Sequence, residues 1–260
     1  MIEEKLYELG LPYPYRGERQ VRVYVPAHEE GEKMPVIYMT DGQNLFDEET
    51  AKYGCWHICQ AVARERENSG KAAVIVGMHN NDPWRPNELT PKSIGEIQCP
   101  EEVRPFVAPE GEVFDDFIIN TVMPEVEKQF PVKTGRENTA FCGSSSGGIM
   151  SFFTALSHPD KYCAAGVFSP PFVMFTIEDL KNWISIRIGE NMPYLYIYSG
   201  GADRVESEIL ESVRQTSVIF DELYPSDRMY RKLIPEQIHK EEAWEPIFKD
   251  FLHNFLSGKY

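Results

Sequence analysis

Positive charge is what this sequence is short of. Its 260 residues carry 26 Lys and Arg against 41 Asp and Glu, a formal net charge of −15 with His neutral. Nucleic acid and anionic membrane surfaces are held by Lys and Arg through counterion release, so neither is an expected partner. Cysteine is also scarce. Five residues (Cys55, Cys59, Cys99, Cys142 and Cys163) are few for this length, and an odd number leaves one unpaired. That excludes a disulfide framework and points to reduced thiols, mostly small core residues. Cys55 and Cys59 have no second pair at metal-ligand spacing, and no cofactor motif is present, so neither metal nor cofactor is expected. No run reaches the roughly 18 apolar residues of a membrane span, and the start at Met1 has no basic region leading into an apolar one. The expectation is a cytoplasmic protein. There is no repeat, low-complexity tract or linker, so residues 1–260 read as one domain, with no sign of its oligomeric state.

What is present is an alternation of strand and helix patterns. Val21, Val23 and Val25 alternate with polar residues, as in a strand with one buried face. The apolar runs at 35–39 and 72–78 read as strands buried on both faces. Trp56, Cys59, Val62 and Ala63 recur at helical spacing, and so do Phe114, Phe117, Ile118, Val122, Met123 and Val126, with Pro124 as an expected kink. Strands follow at 139–142, 164–168, 194–198 and 229–234. Helices follow at about 146–156, 207–223 and 244–255. The order implies an α/β fold, a mostly parallel central sheet with helices on both faces. Between Asn80 and Glu110 stand six prolines and little periodicity, as in a loop forming the rim of a site. Trp84 would line that rim, or be packed beneath it.

The sharpest motif is Gly143-Ser144-Ser145-Ser146-Gly147, a G-x-S-x-G pentapeptide between an apolar strand and an apolar helix. Such a turn holds its central Ser in a strained conformation with the hydroxyl exposed, and small neighbours let strand and helix approach. The spacing selects Ser145 as nucleophile. The N–H of Ser146, at the helix start, is placed to donate to an oxyanion. A second donor is expected from the loop after the 35–39 strand, where Gly42 permits close backbone approach and the N–H of Gln43 is the candidate.

A serine nucleophile needs a base, and in this arrangement the order is Ser, acid, His. His239 lies in the loop after the last strand, whereas His253 sits inside the final helix. The acid should follow the 194–198 strand. Asp203 does, though a turn or helix-cap role would also suit it; Glu206 and Glu208 are nearby alternatives that begin to fall into the next helix.

These residues carry a resemblance. Asp41-Gly42-Gln43-Asn44-Leu45-Phe46, the Gly143–Gly148 elbow, Gly200-Gly201-Ala202-Asp203 and His239 resemble the putative esterase family of α/β hydrolases over roughly residues 19–256. Val76-Gly77-Met78-His79-Asn80 and the stretch from Arg85 to Pro91 are similar too. The relatives include feruloyl and acetyl esterases, enterochelin-type esterases and S-formylglutathione hydrolases. The resemblance implies Ser145, Asp203 and His239 as a triad, Gln43 and Ser146 as oxyanion donors, and Arg85 and Glu88 at family positions as an ion pair or a substrate contact. The acid turn of close relatives often carries Glu. It further implies a serine ester hydrolase acting on small-molecule or oligosaccharide esters, short acyl or aryl. An acyltransferase, a siderophore-type esterase or a non-catalytic binding protein would share the scaffold.

Overall fold

The computed structural model describes residues 1–259. The apolar runs become the strands of one eight-stranded sheet: β1 (Lys5–Pro12), β2 (Glu18–Val25), β3 (Val36–Met39), β4 (Val74–Met78), β5 (Thr139–Ser144), β6 (Ala164–Phe168), β7 (Tyr194–Ser199) and β8 (Met229–Leu233). Their spatial order is β1-β2-β4-β3-β5-β6-β7-β8. The β1–β2 and β2–β4 pairs are antiparallel and the other five are parallel. The central strands β3 to β6 are buried along their whole length, the signature of a sheet covered on both faces. This is the α/β-hydrolase architecture.

The helices are α1 (Ile58–Ser69), α2 (Arg85–Glu88), α3 (Gly111–Phe117), α4 (Met123–Gln129), α5 (Ser146–Ser157), α6 (Ile177–Ser185), α7 (Arg204–Leu223) and α8 (Glu241–Ser257). Helices α3 and α4 are one helix interrupted by a π turn at Ile118–Val122. Pro124, the expected kink, has no N–H to return to the preceding turn, and the widened turn ends directly before Met123 and Pro124. Among the described residues no helix is long and apolar enough to cross a membrane, and no disulfide is formed.

Two features fix the site. After β3 the chain crosses to β4 on one side, and after β5 it crosses to β6 on the other. The loops leaving β3 and β5 therefore diverge and open a crevice at the carboxyl edge of the sheet, where ligands bind in open α/β folds. The proline-rich segment is tied down. Glu88 is wholly buried and takes a bidentate pair from Arg19 at 2.6 and 2.7 Å, while Arg19 also donates to the His79 carbonyl at 2.9 Å. Residues 101–106, by contrast, are exposed, Phe106 at 73%.

Candidate active site

Three neighbouring strands end in residues with positive φ. Asp41 beyond β3 has φ 58°, Ser145 beyond β5 has φ 57°, and Ser169 beyond β6 has φ 44°. Side chains seldom adopt this region, and its concentration at one sheet edge marks a built site. Ser145 (ψ −127°) is the residue between the end of β5 and the start of α5. Of the three serines, Ser144 is buried within the strand and Ser146 opens the helix, which leaves Ser145 at the turn and partly exposed. The Ser145 N–H donates to the Phe168 carbonyl at 2.9 Å, which ties the turn to β6. A methyl group at Gly147 would strike the Thr40 hydroxyl, so the glycine is what lets α5 sit against the end of β3. The Ser146 N–H stands in the first helical turn, which has no intrahelical acceptor to offer.

The loop carrying His239 is fastened to the turn after β7. The N–H groups of Gly201 and Ala202 both donate to the Gln237 carbonyl at 2.9 Å. The carboxylate facing His239 is Glu206. Its Oε2 lies 2.5 Å from His239 Nδ1, and its side chain is wholly inaccessible. Asp203, the acid expected from sequence, does something else. It caps α7 by accepting the Glu206 N–H at 2.9 Å, and it accepts the His239 backbone N–H at 2.6 Å. Burial would raise the Asp203 carboxyl, but these N–H groups hold it below the usual carboxylate range. The carboxylate that meets the imidazole is thus Glu206, where Asp203 was expected. The reason is that α7 begins at Arg204, earlier than the expected 207, so Glu206 lies in the first turn. There a side chain leans toward the helix N-terminus, and so toward the His239 loop.

The Asp41–Phe46 loop faces the elbow from β3. Gly42 packs directly on Gly77, and a methyl group there would strike the Gly77 carbonyl. Gln43 is partly exposed, and its side-chain Oε1 accepts the Asn80 N–H at 3.3 Å. Buried Asn44 donates to Glu241 Oε1 at 3.1 Å and anchors the loop to α8. Burial raises the Glu241 carboxyl.

Arg85 and Trp84, expected at the substrate rim, are both half-buried and hold polar contacts within the protein. Arg85 grips Asp41 through two bonds, Nε to Oδ1 at 2.6 Å and Nη2 to Oδ2 at 2.8 Å, and Nη2 also reaches the Ser144 carbonyl at 3.3 Å. It couples the β3 loop to the residue preceding Ser145. Arg85 and Glu88 do not pair with each other. Trp84 donates its Nε1–H to Glu110 Oε2 at 3.2 Å and lies under the Arg16 guanidinium at 5.2 Å, with Arg16 bound in turn to Glu110 at 2.6 Å. Its contacts are with the β1–β2 connection and the start of α3.

Burial would raise the Asp41 carboxyl, but Arg85 and Asn80 together hold it below its ordinary value of 3.8. A carboxyl depressed in the folded state contributes stability that is fully present above its unfolded pKa and is lost as pH falls through the folded one. Acid titration of Tm should therefore show a loss below about pH 4 that is smaller in Asp41→Asn. Parallel curves for the two proteins would remove Asp41 from the acid response.

A family model described as Putative esterase matches residues 15–245, a span that holds every site residue above. The chain belongs to this family. Among relatives of this esterase-family chain is the siderophore triacetylfusarinine C esterase of Aspergillus fumigatus, 30% identical over 158 residues, which is 56% of this chain and 49% of that protein. The aligned stretch thus spans about half the length of that curated relative. A siderophore hydrolase of Aspergillus nidulans superposes with a TM-score of 0.73 at 19% identity, covering 100% of this chain and 96% of the other. A ferulic acid esterase of Anaeromyces mucronatus, solved with ferulic acid, gives 0.67 at 20% identity, covering 97% and 91%. At these identities the structural likeness concerns the fold.

Proposed function

We propose that this chain is a serine carboxylic-ester hydrolase working through an acyl-enzyme intermediate. The observation that carries the reading is the His239–Glu206 pair, at the same sheet edge as a strained, partly exposed Ser145. Ser145 Oγ attacks the ester carbonyl carbon while His239 Nε2 takes its proton. The carbonyl oxygen becomes an oxyanion that accepts from the N–H groups of Gln43 and Ser146. Collapse breaks the bond to the alcohol, which leaves with the proton from His239. Water then attacks the acyl-Ser145 ester with His239 again as base. The carboxylic acid departs and the Ser145 hydroxyl is restored. Glu206 holds the imidazole with its proton on Nδ1, so that Nε2 carries the free lone pair.

The proposed substrates are short acyl or aryl esters, carbohydrate-linked among them. A siderophore ester is the second reading, and the 30% identical Aspergillus fumigatus esterase favours it. The test is a panel of acetylated and feruloylated xylo-oligosaccharides and a hydroxamate siderophore ester, read as kcat/KM, together with a fluorophosphonate probe. Labelling should fall on Ser145, and the preferred ester class decides between the two substrates. Product analysis with added alcohol separates hydrolysis from acyl transfer. Absence of both labelling and turnover would overturn the reading.

A further inference from the structure

Glu206 is itself held by a second layer of donors whose arrangement has a direction. Ser169 is completely buried, and its hydroxyl lies 2.5 Å from Glu206 Oε1. Trp244 Nε1 lies 2.9 Å from the same hydroxyl. An indole N–H can only donate, so the Ser169 oxygen accepts from Trp244, and its single proton is directed at Glu206. The Gly200 N–H adds a second donor to Oε1 at 2.6 Å. With Oε1 occupied in this way, Oε2 is the oxygen left for His239 Nδ1.

Trp244 acts at both ends of this chain. Besides its bond to Ser169, its ring meets the His239 imidazole edge to face, with centroids 4.9 Å apart and planes at 88°. The indole is buried and braced by Trp56, whose centroid is 6.0 Å away. Ser169 also follows Phe168, whose carbonyl holds the Ser145 N–H. Backbone strain makes the presence of a hydroxyl here informative. At φ 44° glycine would be at ease and serine is not.

We propose that Ser169 and Trp244 are positioning residues for the hydrolytic reaction. The Trp244–Ser169–Glu206 chain fixes which carboxylate oxygen meets His239, while the Trp244 ring fixes the imidazole plane. The proposal rests on the hydrolase reading above, and it assigns both residues an action through Glu206 and His239 rather than on substrate.

Ser169→Gly suits the test because glycine relaxes the backbone while deleting the hydroxyl. The variant should fold with a Tm lowered only modestly, because relief of the backbone strain offsets part of the cost of leaving the Trp244 N–H without its acceptor. On an activated aryl acetate its kcat should fall about 10- to 100-fold, the effect of losing one charge-assisted hydrogen bond, with KM within about twofold of wild type. The far-downfield proton resonance of His239 Nδ1–H should move or broaden. In a Glu206→Gln background the same substitution should cost little, because the group it acts through is already gone. Trp244→Phe keeps a ring against His239 but removes the donor, and should shift kcat and the resonance in the same direction. Unchanged kcat and resonance in Ser169→Gly and Trp244→Phe would overturn the relay, as would an equal Ser169→Gly loss in both backgrounds. A Ser145→Ala control separates the two ideas. Full activity there defeats the hydrolase reading and the relay with it, whereas an inactive control beside a silent Ser169→Gly defeats the relay alone.

Discussion

Ser145→Ala is expected to lower kcat/KM about 10⁴-fold or more while leaving the protein folded, because the proposed nucleophile, base and acid act as one unit. The fold should tolerate the change. Ser145 is partly exposed, and alanine removes one oxygen from a position whose backbone is already fixed by Phe168 and by the packing of Gly147 on Thr40. What survives should be the contribution of binding and of the Gln43 and Ser146 N–H groups. Ser144→Ala and Ser146→Ala serve as controls, since the proposed role of Ser146 lies in its backbone. Undiminished turnover in Ser145→Ala, or a comparable collapse in either control, would contradict the assignment.

The second large effect separates two carboxylates three residues apart. Glu206→Gln should reduce kcat about 10³- to 10⁴-fold. An amide facing Nδ1 favours the wrong imidazole tautomer and removes the charge opposite the developing imidazolium. Asp203→Asn should act differently. It turns one of two acceptors into a donor that opposes a backbone N–H of His239 or Glu206, which loosens the start of α7 and the His239 loop. A cost of about 1 kcal/mol in stability is expected, as for a lost helix cap, with kcat within about tenfold of wild type. His239→Ala should match Ser145→Ala. His253→Ala should be near wild type, since His253 is exposed and paired with Glu65 at 3.1 Å. Measuring kcat and Tm for the four variants decides the matter. If Asp203→Asn proves the inactive one and Glu206→Gln the mild one, the acid is Asp203 after all.

In the sequence Glu206 stands among the candidate acids without being preferred to Asp203. The spacing after β7 narrows the acid to a short window, but the choice within it depends on where α7 begins, and a boundary displaced by three residues moves the carboxylate that faces the histidine. A signal was available. Asp203-Arg204-Val205-Glu206 is a D-x-x-E pattern, which marks an N-cap followed by a first-turn Glu whose side chain leans back past the helix start. The placement of Ser145 at the turn into α5, of His239 in the loop after β8, and the sheet from β2 to β8 were readable because each rests on local periodicity or on fixed order along the chain. Strand β1 was not, because as a mostly exposed edge strand it has little buried face to impose alternation. For Trp84 and Arg85 the sequence left two roles open each, because proline content reports that a segment is irregular and says nothing of which partners its side chains meet. Glu88 is wholly buried within that same segment.

The order of strands has a consequence for how the protein could be divided. The first four strands in sequence occupy one contiguous half of the sheet and the last four the other, meeting only where β3 pairs with β5. The exposed stretch 101–106 lies between the halves in sequence. A chain cut there leaves two fragments, one with Gln43, Asp41 and Arg85, the other with Ser145, Glu206 and His239. Neither fragment alone holds a complete site. Restoring one requires the β3–β5 ladder and the Arg85 bond to the Ser144 carbonyl to re-form, so ester hydrolysis by a split version of this chain, if the proposed activity holds, would report directly on reassociation.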